Sequence, residues 1–258
     1  MKTIEQQIQE KLKEIEEGAG VEILHAVESG SRAWGLASPD SDYDVRFVYR
    51  RAGKDYLSLE ESRDVLEWQL DQVLDINGWD IKKALQQLGK GNATLFEWSN
   101  SPIVYKTTKE WEQIYRVGLG YFSEKAALCH YYGMAAHTFK EYLEGEKVRY
   151  KKYFYALRPL LAANYIEAFH TPPPVLFQDL MKLQMEPALK MAIEELLEKK
   201  KVTAEQELHP QIPVIQQFIQ EEIQRQKQIS SQLADDRKKD WSQLNQCFAE
   251  MIGVRWQS

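Results

Sequence analysis

Gly30-Ser31-Arg32-Ala33-Trp34-Gly35-Leu36-Ala37-Ser38-Pro39-Asp40-Ser41-Asp42-Tyr43-Asp44-Val45 holds a glycine-serine pair, ten intervening residues, and then two aspartates flanking a tyrosine. Just upstream, Val21 to Val27 is a short apolar run of strand formers that ends at Gly30-Ser31. Arg32 to Leu36 reads as a helical turn, and Ser38-Pro39-Asp40-Ser41 as a tight turn. Beyond it, Tyr43, Val45 and Phe47 alternate with Asp42, Asp44 and Arg46, the mark of a strand with one apolar and one charged face. Carboxylates at i and i+2 on a strand point the same way, so Asp42 and Asp44 can share divalent cations. Mg²⁺ (or Mn²⁺) suits one or two carboxylates completed by substrate phosphates and water. A glycine lets the backbone approach a phosphate closely, and the serine beside it adds a hydroxyl and an N–H. Gly-Ser alone is commonplace, and Asp-x-Asp on a strand is usually a solvated face. In this order, across two successive strands, the combination rarely arises by chance.

Outward from this stretch, Met1 to Glu17 repeats Ile4, Ile8, Leu12 and Ile15 at helical spacing and is stopped by Gly18 and Gly20. Arg63 to Ile76 is expected to form a strand punctuated by Asn77-Gly78, and Ile81 to Leu88 a helix. After Pro102 the pattern turns helical and aromatic: Lys109 to Phe122, Glu124 to Leu143, Lys147 to Phe169 and Phe177 to Lys201, then a helical tail from Val214 to Trp256. The expectation is an α+β fold, a small mixed sheet in residues 1–105 followed by a helical domain in 106–258.

Composition narrows the classes. The 258 residues are 43% hydrophobic, enough for a buried core, and carry a formal charge of -6. A protein that coats duplex nucleic acid is usually basic, so any nucleic-acid contact is expected to be local. No apolar run reaches the ~18 residues of a membrane span, no secretory signal is read at the N-terminus, and the cytoplasm is the expected compartment. Cys129 and Cys247 are too few for a disulfide framework and are expected to be small buried side chains. His130 and His137 stand seven residues apart on one helix, too far for a paired metal site.

The stretch from Gly30 to Val45 resembles the signature of the DNA polymerase β nucleotidyltransferase superfamily. Within it, Asn77-Gly78-Trp79-Asp80-Ile81-Lys82-Lys83-Ala84-Leu85, the run from Asn92 to Tyr105, and Lys151-Lys152-Tyr153-Phe154-Tyr155-Ala156-Leu157-Arg158-Pro159-Leu160 are similar to the nucleotidyltransferases associated with RNA-repair systems. The resemblance spans roughly residues 21 to 170. It implies a nucleotidyltransferase domain in 1–105 and a helical domain contributing to the nucleotide cleft. It also implies metal-dependent transfer of a nucleoside monophosphate from a triphosphate, ATP among them, to an acceptor hydroxyl.

A third carboxylate on a neighbouring strand is implied with it. Asp80, where strand meets helix, is the first choice for this metal-binding and catalytic role beside Asp42 and Asp44. Asp75 is the rival, and a helix N-cap is the structural reading of Asp80. Nucleotide contacts are assigned to Gly30, Ser31, Arg32, Lys83, Lys152 and Arg158. Arg46 either neutralises the two aspartates or touches a phosphate. The acceptor is expected to be an RNA end: the segment Lys140 to Arg158 interleaves basic residues with Tyr142, Tyr150, Tyr153, Phe154 and Tyr155, although rings at helical spacing mostly pack a core. A nucleotide sensor without turnover, and nucleotidylation of a protein or a small molecule, stay open as alternatives.

Overall fold

The computed structural model describes residues 2–38, 41–69, 73–202 and 207–254. Pro39 and Asp40 of the signature turn, and Trp256 of the tail, lie outside them. The chain divides into two compact units, one of residues 1–122 and 237–258 and one of 123–236.

In the first unit, helix α1 (Ile4–Ala19) opens on a Thr3–Gln6 capping box and closes on Gly20 in the left-handed region. Strands β1 (Glu22–Glu28), β2 (Tyr43–Arg50), β3 (Val65–Gln69), β4 (Leu74–Asp80) and β5 (Val104–Thr107) form a sheet in the order β3-β4-β2-β1-β5. β2 and β4 run parallel and the other pairs antiparallel. Helices α2 (Gly30–Ala33), α3 (Ile81–Gly89), α4 (Ala93–Ser99) and α5 (Lys109–Gly118) belong to the same unit. The expected α+β class and mixed sheet are observed.

Period-two alternation sorts the strands into two faces. Ile23, Val45, Phe47, Tyr49, Leu74 and Ile76 pack against Ile8, Leu12 and Ile15 of α1. Leu24, Val27 and Val48 pack on the opposite side against Ile81, Leu85 and Leu88 of α3, with Phe96, Trp111, Ile114 and Tyr121. Leu244, in the last helix, joins this second cluster. The compact units therefore part after Phe122 and not after residue 105, because Trp111, Ile114 and Tyr121 are core to the sheet.

Several local expectations are corrected. The stretch from Arg63 to Ile76 is not one strand: β3 and β4 pair antiparallel. Asn77-Gly78 does not interrupt but lies inside β4. Gly78 is a packing glycine, since a Cβ there would stand 2.2 Å from the Phe47 ring.

His25 sits in this core, with Nδ1 3.1 Å from Thr107 Oγ1, Nε2 3.2 Å from the Trp98 carbonyl, and its ring stacked on Trp111. Burial outweighs the carbonyl contact and lowers its pKa from 6.5 to about 4. A depressed folded-state pKa gives stability that is complete above 6.5 and lost as pH falls toward 4. Between pH 7 and 4.5, His25 alone is expected to remove about 2–3 kcal/mol. The pH slope of urea-unfolding free energies should shrink by that amount in His25→Phe. Equal slopes in the two proteins would show that the folded state carries the proton after all.

The second unit comprises α6 (Glu124–Tyr142), β6 (Lys147–Val148), α7 (Tyr150–Phe169), α8 (Phe177–Leu180), α9 (Pro187–Val202), β7 (His209–Pro210) and α10 (Pro213–Gln232). Eleven residues of α7, from Tyr153 to Ile166, are buried. Arg225 of α10 grips Glu167 of α7 through 2.8 Å contacts. The tail is not one helix: α10 ends at Gln232, and α11 (Ser242–Met251) belongs to the first unit. Cys247 is half-buried there, whereas Cys129 is exposed, because α6 buries the stripe Leu128, Tyr131, Ala135 and Thr138 beside it. No described helix is long and apolar enough to cross a membrane.

Candidate active site

β1 ends at Glu28, and the chain turns through Gly30 at φ 60° into α2. The turn returns to the start of β2, where the Ser29 N–H donates to the Asp44 carbonyl at 2.8 Å. Gly30 is required twice over. Its φ lies where a Cβ is disfavoured, and an ideal Cβ would stand 2.2 Å from Asp44 Oδ2. The Asp44 carboxylate thus lies directly against the glycine backbone, and Ser31 beside it is buried.

Asp42 is exposed just before β2. Arg32, expected at a phosphate, is engaged with this segment: Nη2 donates to the Ser41 carbonyl at 2.6 Å and Nε to the Asp42 carbonyl at 3.0 Å. Its guanidinium lies 3.6 Å from the centre of the Tyr43 ring, which flattens it against the strand.

The parallel register sets Asp75 of β4 directly beside Asp44. Arg46 Nη2 bridges the two carboxylates, 3.2 Å from Asp44 Oδ1 and 2.7 Å from Asp75 Oδ2. Arg46 therefore takes the neutralising role. Asp80 is instead paired with Tyr49, five positions further along both strands. Five residues of strand span roughly 16 Å, and an odd offset points to the opposite face. Asp80 is the N-cap of α3: Oδ1 accepts the Lys82 N–H at 2.8 Å and Oδ2 the Tyr56 hydroxyl at 3.0 Å. Burial raises its pKa, opposed by those two donors and by Arg51. Lys83 goes with Asp80, its Nζ 3.2 Å from Asp64 Oδ2. Both line a charged cavity of about 550 Å³ with Arg51, Arg63 and Lys82.

Lys152 and Arg158 belong to the second unit. Lys152 Nζ lies 3.8 Å from the Tyr142 ring centre. Arg158 is fully buried, 5.9 Å from the Tyr131 ring centre, and a buried guanidinium offers a triphosphate no surface. Tyr153 and Phe154 are core, while Tyr142 is exposed.

Asp44 and Asp75 bring their carboxylates together at the entry of two neighbouring parallel strands, with Asp42 two residues before Asp44 in the chain, and carboxylate oxygens are the donors a hard divalent cation takes. Among the described residues no three acidic, His or Cys side chains are already closed around a cation position. Arg46 holds the place between two of them, as a positive charge that a cation would join or displace. Sequence reasoning ranked Asp75 second. The usable signal was parity: Leu74-Asp75-Ile76 repeats the apolar–Asp–apolar pattern of Tyr43-Asp44-Val45. It missed Glu28 altogether.

Glu28 has no exposed surface. Oε1 accepts the Asp44 N–H at 2.8 Å and Oε2 the Tyr105 hydroxyl at 2.5 Å. Burial pushes its carboxyl above the usual range, and the two donors oppose this.

The profile of a family described as RlaP, RNA repair pathway DNA polymerase beta family, matches residues 4–250. The Bacillus subtilis (strain 168) protein YcgL is 43% identical over 255 residues, 98% of each chain. A nucleotidyltransferase-like protein from Exiguobacterium sibiricum 255-15 superposes with a TM-score of 0.32 at 13% identity, covering 99% of this chain and 81% of that one.

Proposed function

Because the chain belongs to the RNA repair pathway DNA polymerase beta family, we propose that it transfers a nucleoside monophosphate from a nucleoside triphosphate to an acceptor hydroxyl. The observation that carries this reading is the pairing of Asp44, pressed against Gly30, with Asp75 in register on the next parallel strand. Asp42, Asp44 and Asp75 would hold Mg²⁺ or Mn²⁺. Such a cation lowers the pKa of the attacking hydroxyl and neutralises the leaving group.

The residues' own part is positional and protolytic. The acceptor oxygen forms a bond to the α-phosphorus, the bond from that phosphorus to the β-phosphate oxygen breaks, and pyrophosphate leaves. Asp75, in the role first given to Asp80, takes the hydroxyl proton. Gly30 and Ser31 line the phosphate path beside Asp44, and Arg46 offers a charge to it once released from the carboxylates. Arg32 holds the Ser41–Asp42 backbone in place.

The acceptor proposed is a short RNA end, supported by the family's description. The charge of -6 limits the contact to a few nucleotides, so its salt dependence is expected to be shallow. The test is transfer of label from each radiolabelled nucleoside triphosphate to a short RNA with a free 3′ hydroxyl and to the same RNA blocked there. Labelling of the free end alone is expected. Equal labelling of both, or label on protein or metabolite fractions only, rejects the RNA end. Nucleotide binding without turnover on any acceptor would make the protein a sensor.

A further inference from the structure

Asp44 is a short side chain, so its carboxylate goes where its backbone goes, and one backbone contact stands apart from the sheet ladder. We propose that Glu28 and Tyr105 form a positioning pair that sets the Asp44 carboxylate through its main-chain N–H. The inference rests on the reading of Asp44 as a cation ligand, although the contact itself does not.

Glu28 stands at the end of β1, opposite Val45 in the β1–β2 register. The Asp44 N–H donates to its Oε1 at 2.8 Å. The other oxygen is held at 2.5 Å by the Tyr105 hydroxyl, from β5 on the far side of β1. The backbone of Glu28 is itself fixed: its N–H donates to the Ile103 carbonyl at 2.9 Å, and its carbonyl accepts the Ser101 hydroxyl at 2.6 Å. A buried carboxylate is costly unless its oxygens are satisfied. An apolar residue would serve a merely structural need here at less cost. Three strands are therefore joined by one side chain, and Asp44 is held between Glu28 and the Gly30 backbone.

Glu28 does not contact the reacting atoms; it acts through Asp44. In metal sites, partners that orient the ligands typically change metal affinity about 10–100-fold when removed. Glu28→Gln keeps a carbonyl oxygen for the Asp44 N–H and turns its amide toward Tyr105, whose hydroxyl can accept. Glu28→Leu keeps the approximate volume and loses the acceptor.

The experiment follows three readouts on the full chain: Mn²⁺ affinity by titration calorimetry, hydrogen exchange of the Asp44 amide, and kcat against KM for nucleotide. Glu28→Leu is expected to weaken Mn²⁺ binding by about tenfold or more, to speed Asp44 amide exchange, and to lower kcat with KM little changed. Glu28→Gln should recover most of each. Tyr105→Phe, which removes one anchor and adds no charge, should give a smaller loss of the same kind and decides the matter if Glu28→Leu does not fold. Wild-type Mn²⁺ affinity and Asp44 protection in the folded Leu variant, or in Tyr105→Phe in its place, overturns the proposal. Asp44→Asn separates the two readings: if it binds Mn²⁺ as the wild type does, the cation-ligand reading fails, while amide exchange still judges the Glu28 contact.

Discussion

Asp44→Asn and Asp75→Asn are each expected to lower nucleotidyl transfer by roughly three orders of magnitude with the fold retained, whereas Asp80→Asn should leave transfer largely intact. The first two remove carboxylates that share Arg46 at the entry of two parallel strands. Both side chains are partly exposed, at 33% and 48%, so neither change opens a core cavity. The exposed Asp42 should follow them, because it stands two residues before Asp44 at the entry of the same strand. Asp80 stands at the other end of β4 and caps α3, and the amide oxygen of Asn still accepts the Lys82 N–H. Asp80→Ala, which removes that acceptor, should cost about 1 kcal/mol of stability. Pyrophosphate release under single-turnover conditions, alongside urea unfolding, separates the effects. Loss of turnover in a folded Asp80→Asn with full activity in Asp75→Asn would return the third carboxylate to Asp80.

Gly30→Ala should lower transfer on the order of a hundredfold and destabilise the protein by about 1–2 kcal/mol. Two costs coincide at this residue: a φ of 60°, and a Cβ placed 2.2 Å from Asp44 Oδ2. An ordinary contact needs more than 3 Å, so the Asp44 carboxylate must move by about 1 Å. Gly20→Ala isolates the first cost from the second. Gly20 has nearly the same φ, 63°, and nothing within 4 Å of its Cβ direction. That variant should show the stability loss with near wild-type transfer. Equal activity losses in the two variants would show that the approach to Asp44 does not matter.

Local patterning carried much of the fold. The Ile8, Leu12, Ile15 stripe named α1, and its buried face is the one α1 lays on the sheet. Alternation around Tyr43 named β2, and the Gly-Ser turn named the approach to Asp44. Failures arose where a local signal has two physical meanings. Asn77-Gly78 reads as a turn, yet Gly78 is there because Phe47 fills the space of its side chain. Asp80 is read first as a ligand and also as a cap, and in the parallel register it lies opposite Tyr49, five residues beyond Asp75, where it caps α3. Lys151, Tyr155 and Arg158 share a helix face by their spacings of four and three, but α7 is buried at Arg158, which no spacing rule for a solvated helix anticipates.

By itself the sequence determined that Asp44 projects from the charged face of a strand beside a glycine-serine turn, because the two-residue repeat of a β-strand and the missing Cβ of glycine act over a few bonds. The cap of α1 is equally local, since the Thr3 side chain reaches the Gln6 N–H three residues away. The tertiary structure alone decided which strand lies against β2 and in what register. A shift of one residue would have turned Asp75 to the opposite face, and packing of both faces against helices selects the register that keeps Leu74 and Ile76 in the core. It alone brought Tyr105 to Glu28 across 77 residues, since the order of strands in a sheet follows from how the whole chain buries its apolar faces and not from any local run.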